Sequence, residues 1–207
     1  MLQDILEKPF GTDFWSKKAA ESSYKINEDL SFKFAPFQLN KDIPTLHHWV
    51  NLPYAKYWQL GNSSVETVYD SYKEILDGKN TCVFWGVLND KKVFLVEFYY
   101  APKDRMGKHY DAQIGDYGFH ILAGPKETVI SQFTTHIFVY LLTFLFQQEE
   151  VERVVVEPDV NNDKIHALNK RAGFKYDKKI EFEEKTAYLA FNDRAQFQEA
   201  LHHIQLP

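Results

Sequence analysis

Apolar and polar positions along the chain follow two periods, and these periods predict most of the secondary structure. Alternating patterns and short β-branched runs predict strands, whereas apolar residues spaced three and four apart predict helices. The predicted strands cover residues 32–37, 82–88, 93–100, 115–123, 153–157 and 185–191. The predicted helices cover about 42–50, 64–76, 130–145, 162–172 and 193–203, and Asp42 is the expected N-cap of the first.

The order of these elements predicts the fold class. Strand, two helices, an antiparallel meander, and then helices alternating with strands are typical of a three-layer α/β (α+β) domain. Its central sheet should be mixed and mostly antiparallel, with helices flanking it. Residues 1–30 are weakly patterned and are predicted to be an N-terminal extension before a domain at 31–207.

Composition narrows the choice of protein class. A chain of 207 residues, of which 44% are hydrophobic, can bury the core of one domain. The only cysteine, Cys82, excludes an intramolecular disulfide and a zinc site with several cysteines. Because Cys82 lies in an apolar run, a buried thiol is favoured over a nucleophile.

Charge and hydropathy exclude several partners. The net charge is −5, and no Lys/Arg block indicates nucleic-acid binding. The longest apolar run, 138–146, is about half of what a membrane span needs, and the N-terminus lacks a secretion signal, so we expect a cytoplasmic protein. None of the eight histidines has a metal-binding spacing, so no metal is expected.

The predicted strand at 115–123 carries polar groups on one face. Asp116, Gly118, His120 and Leu122 share that face, because side chains alternate along a strand. Histidine can accept a proton near neutral pH, and a glycine beside it leaves space for a ligand. A hydrogen-bonded core histidine explains the pattern equally well.

Two further segments suggest a binding site. Asp159 follows Pro158 at the carboxyl end of the predicted strand 153–157, where α/β folds bind ligands, although a loop carboxylate or helix cap is the simpler interpretation. The segment 124–135 leads into the long helix, whose N-terminus could hold a phosphate with help from hydroxyls such as Thr128.

Together these segments resemble the GNAT acetyltransferase family. The clearest mark is the segment from Asn162 to Gly173-Phe174, an Asn followed by a helix, a basic residue and Gly-Phe. The chain is most similar to the siderophore-biosynthesis branch, which includes the N-hydroxylysine acetyltransferase of aerobactin synthesis and its alcaligin and mycobactin relatives. The marks of that branch, within about 32–191, are Trp49-x-Asn51-x-Pro53, Asp116-x-Gly118-x-His120 and Glu157-Pro158-Asp159.

The resemblance implies a GNAT fold and an acyl-CoA-dependent N-acyltransferase that uses acetyl-CoA or another acyl-CoA. In that branch His120 and Asp159 would be catalytic. The coenzyme would contact the strand end and the helix start through Leu122, Ala123, Gly124, Ser131, Gln132, Phe133, Thr134, Thr135 and Asn162. The usual loop of this family contains glycines, which the segment 129–135 lacks.

The acceptor would be a small N-hydroxylated amine, converted to a hydroxamate. Its pocket is predicted to contain Trp49, Asn51, Trp58, Glu97, Tyr99 and Asp116, with Glu97 pairing with an ammonium group. Trp49 and Trp58 could equally be core residues. A flavin N-monooxygenase and a siderophore synthetase would work alongside this enzyme. The alternatives are an aminoglycoside or protein N-terminal acetyltransferase, or a non-catalytic acyl-CoA-binding module.

Overall fold

The computed structural model describes residues 12–125 and 130–206. In these residues the helices are α1 (Thr12–Glu21), α2 (Leu39–Val50), α3 (Val65–Asp77), α4 (Phe133–Phe146), α5 (Asp163–Arg171) and α6 (Arg194–His203). The strands are β1 (Ser23–Lys25), β2 (Ser31–Pro36), β3 (Thr81–Leu88), β4 (Lys91–Tyr100), β5 (Asp116–Ala123), β6 (Arg153–Val156), β7 (Lys175–Glu181) and β8 (Thr186–Asp193). The 3-10 segments are Pro53–Trp58, Ala101–Lys103 and Arg105–His109.

The chain forms two compact units. The first contains residues 12–99 and 120–125 of the described chain, and the second contains 100–119 and 130–206. The chain changes units in the middle of β5, so the first half of that strand belongs to the second unit and its last half to the first.

In the first unit β1, β2, β3 and β4 are antiparallel neighbours in that order, and the last half of β5 follows β4. A tight turn joins β3 to β4, where Asn89 and Asp90 take φ values of 46° and 67°. Two consecutive residues with positive φ are typical of a type I′ hairpin, for which Asn and Asp are favoured. The antiparallel meander expected from the predicted strands 82–88 and 93–100 is therefore confirmed at this turn.

The core of the first unit packs helices α2 and α3 against its strands. Its members are buried apolar or aromatic residues from both layers: Phe37, Ile43, Leu46, Trp49, Val50, Ala55, Val68, Tyr72, Val83, Trp85, Leu95 and Leu122. Each large side chain that is withdrawn from water contributes about 1.5–3 kcal/mol to folding. This packing fixes α3 over the strands that carry the candidate site.

In the second unit the first half of β5 pairs in parallel with β6, β6 pairs antiparallel with β8, and β8 pairs antiparallel with β7. The expectation of a mixed, mostly antiparallel sheet flanked by helices is confirmed. Helix α4 is the core helix of this unit, because nearly all of its residues from Thr135 to Phe146 are buried. A helix that is apolar all round needs neighbours on every side.

Some elements differ from those predicted. Helix α2 begins at Leu39, so Asp42 lies in its first turn and is not the N-cap. Helix α4 begins at Phe133 and not near residue 130, because Gln132 takes a left-handed φ of 52° that interrupts a helix. Strand β7 was not predicted, because its lysine-rich sequence lacks the apolar alternation of a typical strand. Lysine is nevertheless common in strands at a sheet edge, which is where β7 lies.

The residues assigned to the N-terminal extension include α1 and β1. Strand β1 pairs with β2, and the buried Trp15 lies 6.0 Å from Phe98 between ring centroids. The domain boundary at residue 30 stays a prediction.

Candidate functional site

His120 lies in the last half of β5, in the first unit, and about a third of its side chain is exposed. Its Nδ1 is 3.1 Å from Oε2 of Glu97 on β4, and the Glu97 side chain is almost completely buried. A buried carboxylate beside a partly exposed imidazole is an arrangement suited to proton transfer.

Tyr72 on α3 completes a chain of hydrogen bonds with this pair. Its hydroxyl donates to Oε1 of Glu97 at 2.5 Å, and the side chain is fully buried. Burial, followed by the charge of Glu97, raises the pKa of Tyr72 well above its usual value, so the hydroxyl keeps its proton. Nothing in the sequence singled out Tyr72, because a tyrosine among the core positions of a helix carries no local signal of this contact.

Two aromatic side chains that were predicted to bind substrate surround His120. The Tyr99 ring lies 4.7 Å from the imidazole between centroids, and the Trp58 ring meets it edge-on at 6.4 Å. Trp58 also lies near the hydroxyl of Tyr72 and partly opposes the rise in the pKa of Tyr72. The structure therefore brings Trp58, Glu97 and Tyr99 together at His120. Their roles in substrate binding stay predictions.

Trp49 lies against the end of β5. A Cβ atom added to Gly124 would be 2.4 Å from Cη2 of Trp49, so only glycine fits at this position. Trp49 is buried and packs edge-on against Trp85 at 5.0 Å, which makes it a core residue as well as a neighbour of the strand end. Leu122 is buried in the same core, whereas Ala123 is partly exposed.

Backbone groups at this strand end were predicted to contact the coenzyme. The N–H of Gly124 donates to the carbonyl of Val93 at 2.9 Å, so in this structure that donor is already used. Asn51 is exposed and binds the local backbone, since it donates to the carbonyl of His47 and accepts from the N–H of Asn62. The predicted ligand contacts of both residues stay predictions.

In the second unit Asp116 forms an ion pair. Both of its oxygens accept from the Arg153 guanidinium at 2.7 Å, and one also accepts from the N–H of Gln113. Arg153 in turn lies 4.5 Å from the Phe191 ring centroid. These contacts hold β5 to β6 and give Asp116 a structural role, while its predicted role in substrate binding receives no support from them.

Asp159 lies just beyond β6, as the sequence predicted. Its Oδ1 accepts from the N–H and the side chain of Asn161, and its backbone forms an isolated bridge with Ala187 on β8. Its side chain is partly exposed. The tight local turn therefore holds one carboxylate oxygen in place. His120 and Asp159 belong to different units, and their joint role in catalysis stays a prediction.

Glu157, two positions before Asp159, is held in place by an ion pair. Glu157 is buried, and Lys185 donates to its carboxylate at 3.2 Å and to its carbonyl at 3.1 Å. The Tyr188 N–H donates to the carbonyl of Pro158 at 2.9 Å. The Glu-Pro-Asp element is thus anchored to the β8 side of the sheet.

The start of α4 contacts the guanidinium of Arg171, a residue that was not among the predicted site residues. Nη1 of Arg171 lies 3.1 Å from Oε1 of Gln132 and 3.2 Å from Oγ1 of Thr135. Ser131 is exposed, and Phe133 and Thr134 are partly exposed. The segment 126–129, which includes Thr128, lies outside the described residues. The helix start therefore combines hydroxyl groups with a guanidinium, a combination that suits an anion.

The segment from Asn162 to Phe174 has the local structure that its sequence predicts. Asn162 is the N-cap of α5 and accepts from the N–H of Ile165. Gly173 has a φ of 96°, in the region that favours glycine, and ends the helix before the buried Phe174. Capping accounts for Asn162, and its predicted contact with a coenzyme stays a prediction.

Cys82 is buried on β3, and burial raises the pKa of its thiol to about 12. A thiolate nucleophile is therefore disfavoured near neutral pH. Within 12–125 and 130–206 no three His, Cys, Asp or Glu side chains are grouped so that they could hold a metal ion. None of the helices in these ranges is both long and apolar enough for a bilayer span.

Comparison with known proteins identifies the family to which this chain belongs. Residues 38–182 match the family model described as an acetyltransferase (GNAT) domain. The chain is 27% identical over 177 residues to the N(6)-hydroxylysine O-acetyltransferase of Escherichia coli, covering 84% of this chain and 55% of that protein. It is 29% identical over 168 residues to the N-hydroxyputrescine acetyltransferase of Acinetobacter baumannii, covering 80% of this chain and 79% of that protein.

A solved structure shows the same fold. The aminoglycoside acetyltransferase AAC(6')-Ib in complex with coenzyme A superposes with a TM-score of 0.70 at 17% identity, covering 81% of this chain and 98% of that one. The chain spans about half the length of the E. coli relative.

Proposed function

Since the chain belongs to the GNAT acetyltransferase family, we propose that it transfers the acetyl group of acetyl-CoA to the nitrogen of a small N-hydroxylated amine and so forms a hydroxamate. The observation that carries this proposal is the His120 imidazole, which is hydrogen-bonded to the buried Glu97 and contacted by the rings of Tyr99 and Trp58. The names of the two curated relatives support the acceptor class.

His120 is the proposed general base. It takes the proton of the acceptor nitrogen, directly or through water, as the nitrogen forms its bond to the carbonyl carbon of the thioester. Acetyl-CoA supplies the acetyl group, and the carbon–sulfur bond breaks as coenzyme A leaves and receives a proton. An N-hydroxylated amine is less basic than its parent amine, so more of it is neutral at pH 7, and one histidine suffices as base.

Two other groups would assist. A backbone N–H of β5 would stabilise the negative charge that develops on the carbonyl oxygen. Asp159 would orient the acceptor or assist the proton transfer, a role that the family resemblance suggests. Its carboxylate is held by Asn161, and a carboxylate with a fixed position suits either task.

The start of α4 is the proposed seat of the coenzyme pyrophosphate. It offers the N–H groups of a helix start, the hydroxyls of Ser131 and Thr134, and the nearby Arg171 guanidinium. Gln132 adopts the left-handed conformation that usually favours glycine. These residues fit a phosphate group even though the segment contains no glycine.

The proposed biological setting is siderophore biosynthesis in the cytoplasm. A flavin N-monooxygenase would supply the hydroxylated amine, and a siderophore synthetase would use the hydroxamate. The competing function is a non-catalytic acyl-CoA-binding module, which the missing loop glycines favour.

The deciding experiment follows coenzyme A release from acetyl-CoA. N-hydroxylysine, N-hydroxyornithine, N-hydroxyputrescine and each parent amine are offered as acceptors, with kanamycin to represent aminoglycosides. We expect turnover on one hydroxylated amine and a loss of about 10²–10⁴-fold in kcat for His120→Ala. Acetyl-CoA binding without turnover on any acceptor would support the binding module, and turnover on kanamycin alone would support an aminoglycoside acetyltransferase.

A further inference from the structure

Glu97 makes two hydrogen bonds, one through each of its carboxylate oxygens. Its Oε1 accepts from the hydroxyl of Tyr72 at 2.5 Å, and its Oε2 lies 3.1 Å from Nδ1 of His120. The three residues come from α3, β4 and β5, and both Tyr72 and Glu97 are buried. Such a chain orders the imidazole through groups that do not themselves reach solvent.

We propose that Glu97 and Tyr72 are positioning residues, which hold His120 in the tautomer that carries its proton on Nδ1. Nε2 is then the nitrogen that takes the proton from the acceptor. The catalytic role of this tautomer rests on the proposed function. The tautomer itself can be measured without turnover.

The direction of the hydrogen bonds supports this tautomer. An ionised carboxylate can only accept, and the hydroxyl of Tyr72 is the donor to Oε1. Nδ1 must then be the donor to Oε2. A neutral imidazole has a single N–H, so Nε2 holds the lone pair.

The same arrangement favours the charged form of His120 once it has taken a proton. The imidazolium would face the negative charge of Glu97 across a hydrogen bond in a largely buried environment, where such a bond is strong. Tyr72 prevents Glu97 from turning away, and Trp58 in turn contacts both Tyr72 and His120. Among the groups that face the imidazole are Glu97 and Tyr99 from β4, and Trp58 from the segment Pro53–Trp58.

This role differs from the one that the sequence suggested for Glu97, which was to pair with an ammonium group of the acceptor. Each carboxylate oxygen can accept more than one hydrogen bond, so the observed contacts are compatible with either role. The two roles predict different losses in a Glu97→Gln variant, because the amide is neutral and can donate to Nδ1. Donation to Nδ1 would place the proton on Nε2, the wrong atom for a base.

The first measurement is the imidazole ¹⁵N spectrum of the whole protein, with His120 identified by comparison with His120→Ala. We expect the Nδ1–H tautomer in the unmodified protein. In Glu97→Gln the titration midpoint of His120 should move to lower pH, since the imidazolium loses its negative neighbour. A predominant Nε2–H tautomer in the unmodified protein, or an unchanged midpoint in Glu97→Gln, would overturn the proposal.

The second measurement separates positioning from substrate binding. Glu97→Gln is assayed with an N-hydroxylated diamine and with an N-hydroxylated monoamine of the same chain length. Positioning predicts a fall in kcat of about 100-fold or more for both acceptors, with little change in the KM for acetyl-CoA. A loss confined to the diamine, seen as a higher KM for it, would assign Glu97 to ammonium binding and contradict the proposal.

Tyr72→Phe is the milder variant and removes only the hydroxyl. We expect the Nδ1–H tautomer to persist and kcat to fall about tenfold, the usual effect of one hydrogen bond. The matched control is Tyr176→Phe, since the hydroxyl of Tyr176 also contacts a histidine, Nδ1 of His166, at 2.8 Å. That variant should leave both kcat and the His120 titration unchanged. If no acceptor is turned over, the proposed function fails, while the spectra still decide the tautomer.

Discussion

Nη1 of Arg171, at the end of α5, donates to Oε1 of Gln132 at 3.1 Å, just before the first turn of α4. Gln132 needs such support, because its φ of 52° is unfavourable for a residue with a side chain. The side-chain amide of Gln132 also donates to the carbonyl of Gln205 at 2.6 Å. Arg171 therefore shapes the segment proposed to hold the pyrophosphate and places a positive charge beside it.

Replacement of Arg171 by Met should weaken coenzyme binding. We expect the KM for acetyl-CoA to rise about tenfold while kcat changes little, because charge and loop shape are lost but His120 is untouched. Steady-state kinetics at varied acetyl-CoA measure this. The control is Lys170→Met, one position away on α5, where the ammonium lies over the Tyr176 ring at 5.9 Å. An equal rise in both variants would indicate a general effect of charge.

Replacement of Gly124 by Ala should disturb the end of β5. The added methyl group would meet the ring of Trp49, a buried side chain that has little room to move. We expect a loss of about 1–3 kcal/mol in the free energy of unfolding, measured by urea denaturation. Gly61→Ala is the control, since its methyl group would have only an ordinary contact, 3.7 Å from the carbonyl of Val50. Similar stability in the two variants would show that the Trp49 ring can move to accommodate the added methyl group.

The thiol of Cys82 should be unreactive towards thiol reagents in the folded protein. Because burial raises the pKa of its thiol to about 12 and shields it from solvent, a thiol reagent should modify it only as the protein unfolds. Labelling across a urea titration should follow the unfolding curve. Cys82→Ala should have the same kcat as the unmodified protein. A loss of turnover in a normally folded variant would support a role for Cys82 as a nucleophile.

The pair of Asp42 and Lys92 should make stability depend on pH. Burial raises the pKa of Asp42, but hydrogen bonds from Lys92 and from the N–H of Gln38 outweigh it, so the pKa lies below its usual value. A carboxyl with a lowered folded pKa stabilises the protein above its unfolded pKa of about 3.9, and this stability is lost as the pH falls further.

Asp42→Asn should therefore be less stable than the unmodified protein by about 2 kcal/mol at pH 7. The difference should hold down to about pH 4 and shrink below it. Urea unfolding of both proteins at several pH values measures this. A difference that stays constant into acid would mean that the charge of Asp42 contributes nothing.

The sequence determined much of the secondary structure, because local periods and turn residues act over a few positions. The hairpin between β3 and β4, the start of α3 near residue 64 and the glycine that follows α5 are all local features, and the structure confirms them. Short motifs also singled out His120 and Asp159 as candidate catalytic residues, and these roles stay predictions. Their placement on β5 and just beyond β6 agrees with the predicted strands.

Only the tertiary structure decided which side chains lie in contact with one another. Tyr72 and Glu97 are 25 positions apart, and Gln132 and Arg171 are 39 apart. Contacts of this kind depend on how helices pack on strands, which no local period encodes. The same holds for β7, whose lysine-rich sequence becomes a strand because β8 offers it a partner. Local elements thus followed from short-range preferences. The contact between His120 and Glu97 depends instead on β4 lying beside β5, and the contact between Glu97 and Tyr72 depends on the packing of α3 on the strands.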